Sequence, residues 1–189
     1  WSEDRNATSA YYSTLSGVTS SWVIAKAPSI TLYGVWKDEE APTISNKGSS
    51  KVGCNSFKVY ANFSDSGSGM QKIKWQVREQ NNQTILKDSN EISCTSNQKM
   101  EYAFSGLKAN TTYVINIFAW DKAGNRQYSY TTVTTLEAIC ERVGDGQQYP
   151  SVQNGIDWNT SATLKLLKNH TESAVVYNGK DITFDPGGY

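Results

Sequence analysis

The sequence predicts an all-β fold centred on a two-layer sandwich, on three grounds: apolar alternation in short runs, polar turns between those runs, and a composition suited to twisted sheets. The clearest run is Tyr113-Val-Ile-Asn-Ile-Phe-Ala119. Tyr113, Ile115, Ile117 and Ala119 fall on one face, the period that a half-buried strand requires. Ser, Thr, Asn and Gly are abundant, and only four prolines and two methionines occur among 189 residues, as expected of sheets joined by polar turns. Formal net charge is zero, so there is no basic field of the kind that draws nucleic acid or anionic lipid. No run approaches the roughly 18 apolar residues of a spanning helix, and direct membrane insertion is not expected. Trp1 follows neither an initiator Met nor a leader, so the sequence reads as a piece of a longer protein or as a mature chain.

Residues 41–137 hold the sandwich. Ala41-Pro42-Thr43-Ile44 opens it at an edge, where proline is tolerated. Phe57-Lys-Val59-Tyr-Ala61-Asn-Phe63 alternates as the second strand, Asp65-Ser-Gly67-Ser-Gly69 turns the chain, and Ile73-Lys-Trp75-Gln-Val77 alternates as the third. Trp75 is the expected core indole. Gln83–Lys87 can form a short strand, Met100-Glu-Tyr102-Ala-Phe104 alternates, and Tyr128–Val133 closes the set. Seven strands in about 95 residues is the size of one such sandwich.

Leu107, Thr111 and Tyr113 precede the sixth strand at offsets that resemble the fibronectin type III pattern. That resemblance makes Tyr113 a tyrosine corner, its ring packed and its hydroxyl bonded to upstream backbone. The turns Asp65-Ser-Gly-Ser-Gly-Met70 and Ala119-Trp-Asp-Lys-Ala-Gly-Asn125 resemble those of immunoglobulin-like and fibronectin-like modules in surface proteins of Gram-positive bacteria. The fold expectation is therefore an immunoglobulin-like or fibronectin type III-like sandwich flanked by two small β-rich partial modules.

Residues 1–40 form the first flank. Ile30-Thr-Leu32-Tyr33-Gly-Val35-Trp36 resembles the closing strand of an internalin-type B-repeat, with Gly34 where that family carries Ala. Residues 138–189 form the second. Tyr149-Pro-Ser-Val152-Gln-Asn-Gly-Ile156, Thr163–Leu167 and Ile182-Thr-Phe184-Asp-Pro-Gly-Gly-Tyr189 resemble the opening of a right-handed parallel β-helix, with a capping helix through Val152 and Ile156 and a first rung at Asp181–Phe184. Pro186-Gly187 departs from that pattern. Ala174–Tyr177 reads as another strand, and one rung cannot bury its own faces.

Candidate chemistry is sparse. The single His170 lies in Lys168-Asn-His-Thr-Glu172 and reads as a solvated turn residue. Asp38-Glu39-Glu40 reads as a hydrated linker ahead of the sandwich rather than a glycosidase pair. No catalytic residue and no cofactor are expected. In this topology the loops after the second and sixth strands meet at one pole, bringing together Asp65, Ser66, Ser68, Asp121 and Asn125. Asp65 and Asp121 are hard oxygen donors of the type calcium accepts, and the same residue types are what tight turns demand. Trp120 and Tyr128 offer rigid amphipathic rings to a glycan or a protein at that pole.

Cys54, Cys94 and Cys140 permit one bridge. Cys54 and Cys140 flank the sandwich at the same pole, so Cys54–Cys140 is the candidate pairing, with Cys54–Cys94 and three free thiols as rivals. Asn-x-Ser/Thr triplets at Asn6, Asn62, Asn82, Asn110, Asn159 and Asn169 are idle in a bacterial protein. The expected function is a non-catalytic adhesive or spacer segment of a modular bacterial cell-surface or secreted protein, meeting a surface glycan or protein. Two alternatives stand beside it. One is an accessory module of a carbohydrate-active β-helix enzyme; the other is a filament subunit assembled by strand addition.

Overall fold

Alternating runs can bury their apolar side only by facing one another, and a computed structural model describing residues 38–189 shows them paired into two opposed sheets. The B-repeat-like reading of residues 1–40 therefore falls almost wholly outside the described residues. Residues Glu40–Tyr189 form one compact unit. Its sandwich strands are β1 (Thr43–Ser50), β2 (Ser56–Ser64), β3 (Met70–Glu79), β4 (Lys87–Ser93), β5 (Gln98–Ser105), β6 (Thr112–Asp121) and β7 (Arg126–Thr134). They assemble as β1-β2-β5 and β4-β3-β6-β7, antiparallel throughout.

Inward residues of both sheets build the core: Phe57, Val59, Ala61 and Phe63 from β2 face Ile73, Trp75 and Val77 from β3 and Tyr113, Ile115 and Ile117 from β6. Trp75 is fully buried, its ring set at 83° to Phe63 with centroids 5.6 Å apart. The Tyr113 hydroxyl accepts a hydrogen bond from the Lys108 N–H at 2.8 Å, Leu107 is buried beside it, and the corner is formed as expected.

The edge strand departs from expectation. Instead of Gln83–Lys87, the chain turns at Asn82, whose Oδ1 accepts from the Thr84 N–H, and pairs only from Lys87 to Ser93. A bulge opens in β4, where Ser89 and Asn90 together oppose Trp75 of β3 between the Lys74 and Gln76 pairs. Buried Ser89 fills it, its hydroxyl accepting from the Trp75 N–H at 2.9 Å. The strand is set by backbone satisfaction rather than by apolar alternation.

The C-terminal layer contains β8 (Cys140–Arg142), β9 (Gln148–Tyr149), α1 (Val152–Trp158), β10 (Ser161–Leu166) and β11 (Asp181–Asp185). Its sheet runs β11-β10-β8-β9, and β10 and β11 are parallel. The helix and the strand at Asp181 lie where the sequence placed them; β8 and β9 are additional. Ala174–Tyr177 is not a strand. The Gln153 side chain takes both backbone groups of Val175, accepting from its N–H at 2.7 Å and donating to its carbonyl at 3.2 Å, so a helix side chain replaces a strand partner.

A second core of Cys140, Tyr149, Ile156 and Leu164 is small, and α1 is held at both ends by charge. Glu172 accepts from the N–H groups of Val152 and Gln153. Lys180 Nζ donates to the carbonyls of Ile156, Asp157 and Asn159 at 2.6–3.0 Å. Each charge opposes the helix dipole end that it meets and satisfies groups the helix cannot pair itself. His170, expected in solvent, bonds Glu172 Oε2 at 2.7 Å. Asn159 is buried, with its amide donated to Tyr149 and Gly155, which removes that triplet as a glycan acceptor in the folded chain.

Replacing Trp75 by Ala should cost about 3–5 kcal/mol, the usual loss for a core aromatic. Trp75→Phe should cost less, because the indole Nε1 is buried with no hydrogen-bond partner, and the substitution removes that liability. Ser89→Ala should cost about 1–3 kcal/mol by orphaning the Trp75 N–H. Chemical denaturation checks all three; a loss under about 1 kcal/mol for Trp75→Ala would contradict its core position.

Burial pushes the Glu172 carboxyl up, but the Gln153 and Val152 amides and His170 outweigh it and hold it below its ordinary value. A carboxyl lowered in the folded state stabilises above its unfolded pKa and loses that contribution as pH falls through the folded one. Acidification below about pH 4 should therefore lower the melting temperature of the parent chain more than that of Glu172→Gln. Equal slopes in the two proteins would contradict the clamp.

Candidate functional site

Side chains of successive strand residues point to opposite faces, so β6 presents a second, outward row: Val114, Asn116, Phe118 and Trp120. Register on β7 sets Arg126 beside Trp120, Tyr128 beside Phe118 and Tyr130 beside Asn116. On β3 it sets Lys72 beside Trp120, Lys74 beside Phe118 and Gln76 beside Asn116. The outer face of this sheet is thus an aromatic patch framed by cations.

The rings hold one another. Phe118 stacks on Trp120 with centroids 5.9 Å apart and meets Tyr128 at 5.2 Å. Lys72 lies 5.4 Å from the Trp120 ring and Arg126 5.9 Å from that of Phe118, within cation–π range. The Tyr128 hydroxyl donates to Asn116 Oδ1 at 3.0 Å, which fixes the ring while leaving Tyr128 and Tyr130 47% and 57% exposed. Lys72 is paired with Glu91 and Lys74 with Asp88, both at 2.8 Å. Burial raises the Asp88 carboxyl, but bonds from Lys74 and Gln76 outweigh it and leave it below its ordinary value. Those lysines are largely neutralised at the β4 rim. Arg126 remains as the cation set among the rings.

The pole expected from the loops also forms, with a different membership. Asp65 Oδ2 accepts from the N–H groups of Gly67 and Gly69 at 3.1 and 2.6 Å, where Gly69 adopts φ +86°. Buried Asp121 accepts from Asn125 through both oxygens, at 2.8 Å each. Ser68 Oγ accepts from the Ala123 N–H and ties the two loops together. Ser66 is exposed and enters none of these bonds. Asp65 and Asp121 bring carboxylate oxygens within 4.8 Å of each other. Each already accepts two N–H groups, so the turns take up much of the lone-pair capacity a calcium ion would need. Trp120 and Tyr128 do not join this pole, because Asp121 points inward and its neighbour Trp120 outward.

All three cysteines are buried and unbridged. The Cys54 thiol donates to the Glu137 carbonyl at 3.4 Å, the Cys140 thiol to the Ser151 carbonyl at 3.5 Å, and Cys94 lies in the sandwich core. Burial, with the Glu172 charge and then Cys54 adding to it, pushes the Cys140 thiol up to about 11. Such a thiol is the reverse of an activated nucleophile.

Phe118, Arg126, Tyr130 and Asn116 escaped the sequence reading. The signal that could have found them is the outward phase of the same alternation that identified the core. Among the described residues, no helix is long and apolar enough to cross a membrane.

No family model and no curated protein sequence matches the chain. Solved structures do match. The sensor domain of the anti-sigma factor RsgI4 in Pseudobacteroides cellulosolvens is 20% identical, with a TM-score of 0.42 over 53% of this chain and 99% of that one. The fibronectin type-III domain of human fibronectin type III domain containing protein 3 is 15% identical, with a TM-score of 0.38 over 53% and 91%. The FN3 domain of human collagen XX is 14% identical, with a TM-score of 0.35 over 52% and 100%. The fold rests on the strand order itself: residues Thr43–Thr134 form an all-β, fibronectin type III-like sandwich of three strands facing four.

Proposed function

We propose that the chain is a non-catalytic contact module of a modular bacterial cell-surface or secreted protein, and that it holds a partner protein against the outer face of the β4-β3-β6-β7 sheet. The observation that supports this reading is the patch of Phe118, Trp120, Tyr128 and Arg126. Trp, Tyr and Arg dominate binding hot spots because each supplies large contact area from a stiff, partly polar group. Here the rings are already braced by one another and by Asn116, so little conformational freedom would be lost on contact. A flat sheet face suits a protein surface. The raised Cys140 thiol and the His170–Glu172 pair, occupied in capping α1, accord with a non-catalytic role.

A second reading has its own support. Ser161 pairs in parallel with Asp181, twenty positions later, as successive turns of a parallel coil would. The β11 edge has one neighbour in its sheet, and Phe184 on β11 is 44% exposed. An added strand could dock there, as in the β-helix enzyme or filament alternatives.

Beads coated with the chain should adhere to host epithelial or bacterial cells. Trp120→Ala and Tyr128→Ala should each reduce adherence about tenfold or more, as loss of a hot-spot ring does, with unchanged melting temperatures. Absence of adherence by the parent chain, or adherence indifferent to both substitutions, would sink the contact role and leave a spacer.

A further inference from the structure

Where the sandwich meets the C-terminal layer, a crevice of about 580 Å³ opens, a volume within the range of small-ligand sites. One wall is the loop after β1, with Val52 and Asn55, together with Leu136. The other is Gln148, Tyr149 and Pro150, with Asn154 and Trp158 of α1. While Gly155 and Ile156 bury the inner side of α1, Trp158 is 79% exposed, although an indole gains more from burial than almost any other side chain.

The backbone that carries the polar groups of the lining is held in place. The Asn55 carbonyl accepts from the Leu107 N–H at 3.0 Å, anchoring its loop to the sandwich. Gln148 belongs to β9 and pairs with Glu141. The Ser151 hydroxyl bonds Asn154 Oδ1 at 2.9 Å, which leaves the Asn154 Nδ2 as a donor. Among the described residues, no carboxylate lines the crevice and Lys51 is the one cation that does. Apolar carbon, an exposed indole and neutral side-chain amides together match a ligand that is uncharged, carries hydroxyls and has one C–H-rich face.

We propose that this crevice binds a neutral saccharide, with one ring's C–H face on Trp158 and its hydroxyls bonded to the side-chain amides of Asn55, Gln148 and Asn154. The site is separate from the sheet face assigned to a protein partner, and each can fail without the other.

The test is calorimetric titration of the whole chain with maltotriose, cellotriose and chitotriose, alongside sialyllactose and a proline-rich peptide. At least one neutral trisaccharide should bind with a Kd of roughly 10 μM to 1 mM. Trp158→Ala and Gln148→Ala should each weaken it about tenfold or more, equivalent to about 1.4 kcal/mol, and Trp158→Phe should retain part of the binding. Melting should be unchanged in all three, since these side chains lie outside both cores. Trp120→Ala should bind like the parent chain. The proposal is overturned if none of the three neutral saccharides binds, if binding survives Trp158→Ala and Gln148→Ala, or if only sialyllactose or the peptide binds.

Discussion

The hydrogen bond from the Lys108 N–H to the Tyr113 hydroxyl fixes the phase of β6, and the rest of the sandwich depends on that phase. A strand has two sides and a period of two, so a slip of one residue would send Tyr113, Ile115 and Ile117 outward and bring Phe118 and Trp120 in. The corner ties the first residues of β6 to the loop before it. Thr135 reinforces the tie, its hydroxyl donating to the Lys108 carbonyl and accepting from the Thr111 N–H. Once β6 is phased, β3 and β7 pair on either side of it, and the core and the aromatic face follow from the same register.

This dependence explains which parts of the fold were legible in the sequence. Strands β2, β3 and β6 announce themselves because large apolar side chains bound for the core recur at every second position, and β5 and β7 alternate in sequence although only Phe104 and Val133 in them are buried. Lys87-Asp-Ser-Asn-Glu-Ile-Ser93 carries no such signal. Its position is decided by the Trp75 N–H, which needs Ser89, and by Asn90 in a left-handed conformation at φ 58°. Val175 and Tyr177 look like strand residues, yet Gln153 takes the backbone groups of Val175; a contact between a helix side chain and a distant backbone leaves no period to read. The pole was legible in outline, since Asp65, Ser68, Asp121 and Asn125 do meet. Trp120 and Tyr128 were found as residues, and the pleat sets them on the outer face of the sheet beside Phe118.

The C-terminal layer solves a different problem. An apolar core of four residues cannot offset the ordering of some fifty positions, and the layer draws on polar contacts instead. The loop between β10 and β11 supplies both Glu172 to the start of α1 and Lys180 to its end, so one connection caps both ends of the helix. A further tie runs to the sandwich side, where Lys168 pairs with Glu137 at 2.6 Å, and the Leu167 N–H donates to the Ile139 carbonyl within the layer. A substitution in either charged cap would loosen the layer without touching an apolar core.

Rigidity is divided accordingly between the two surfaces. The aromatic face stands on the most cross-braced sheet of the molecule, where the rings need only rotamer order to be ready for contact, and its flatness limits what it can enclose. The crevice is concave because two separately built layers abut there, and its walls come from turns and a short helix held by capping charges. Loss of the Glu172 cap at low pH would disturb the Asn154 and Trp158 wall while leaving Phe118 and Trp120 in place. The two surfaces therefore differ in the forces that maintain them, stacking and sheet register for one and charge-assisted capping for the other, so acidification separates them physically.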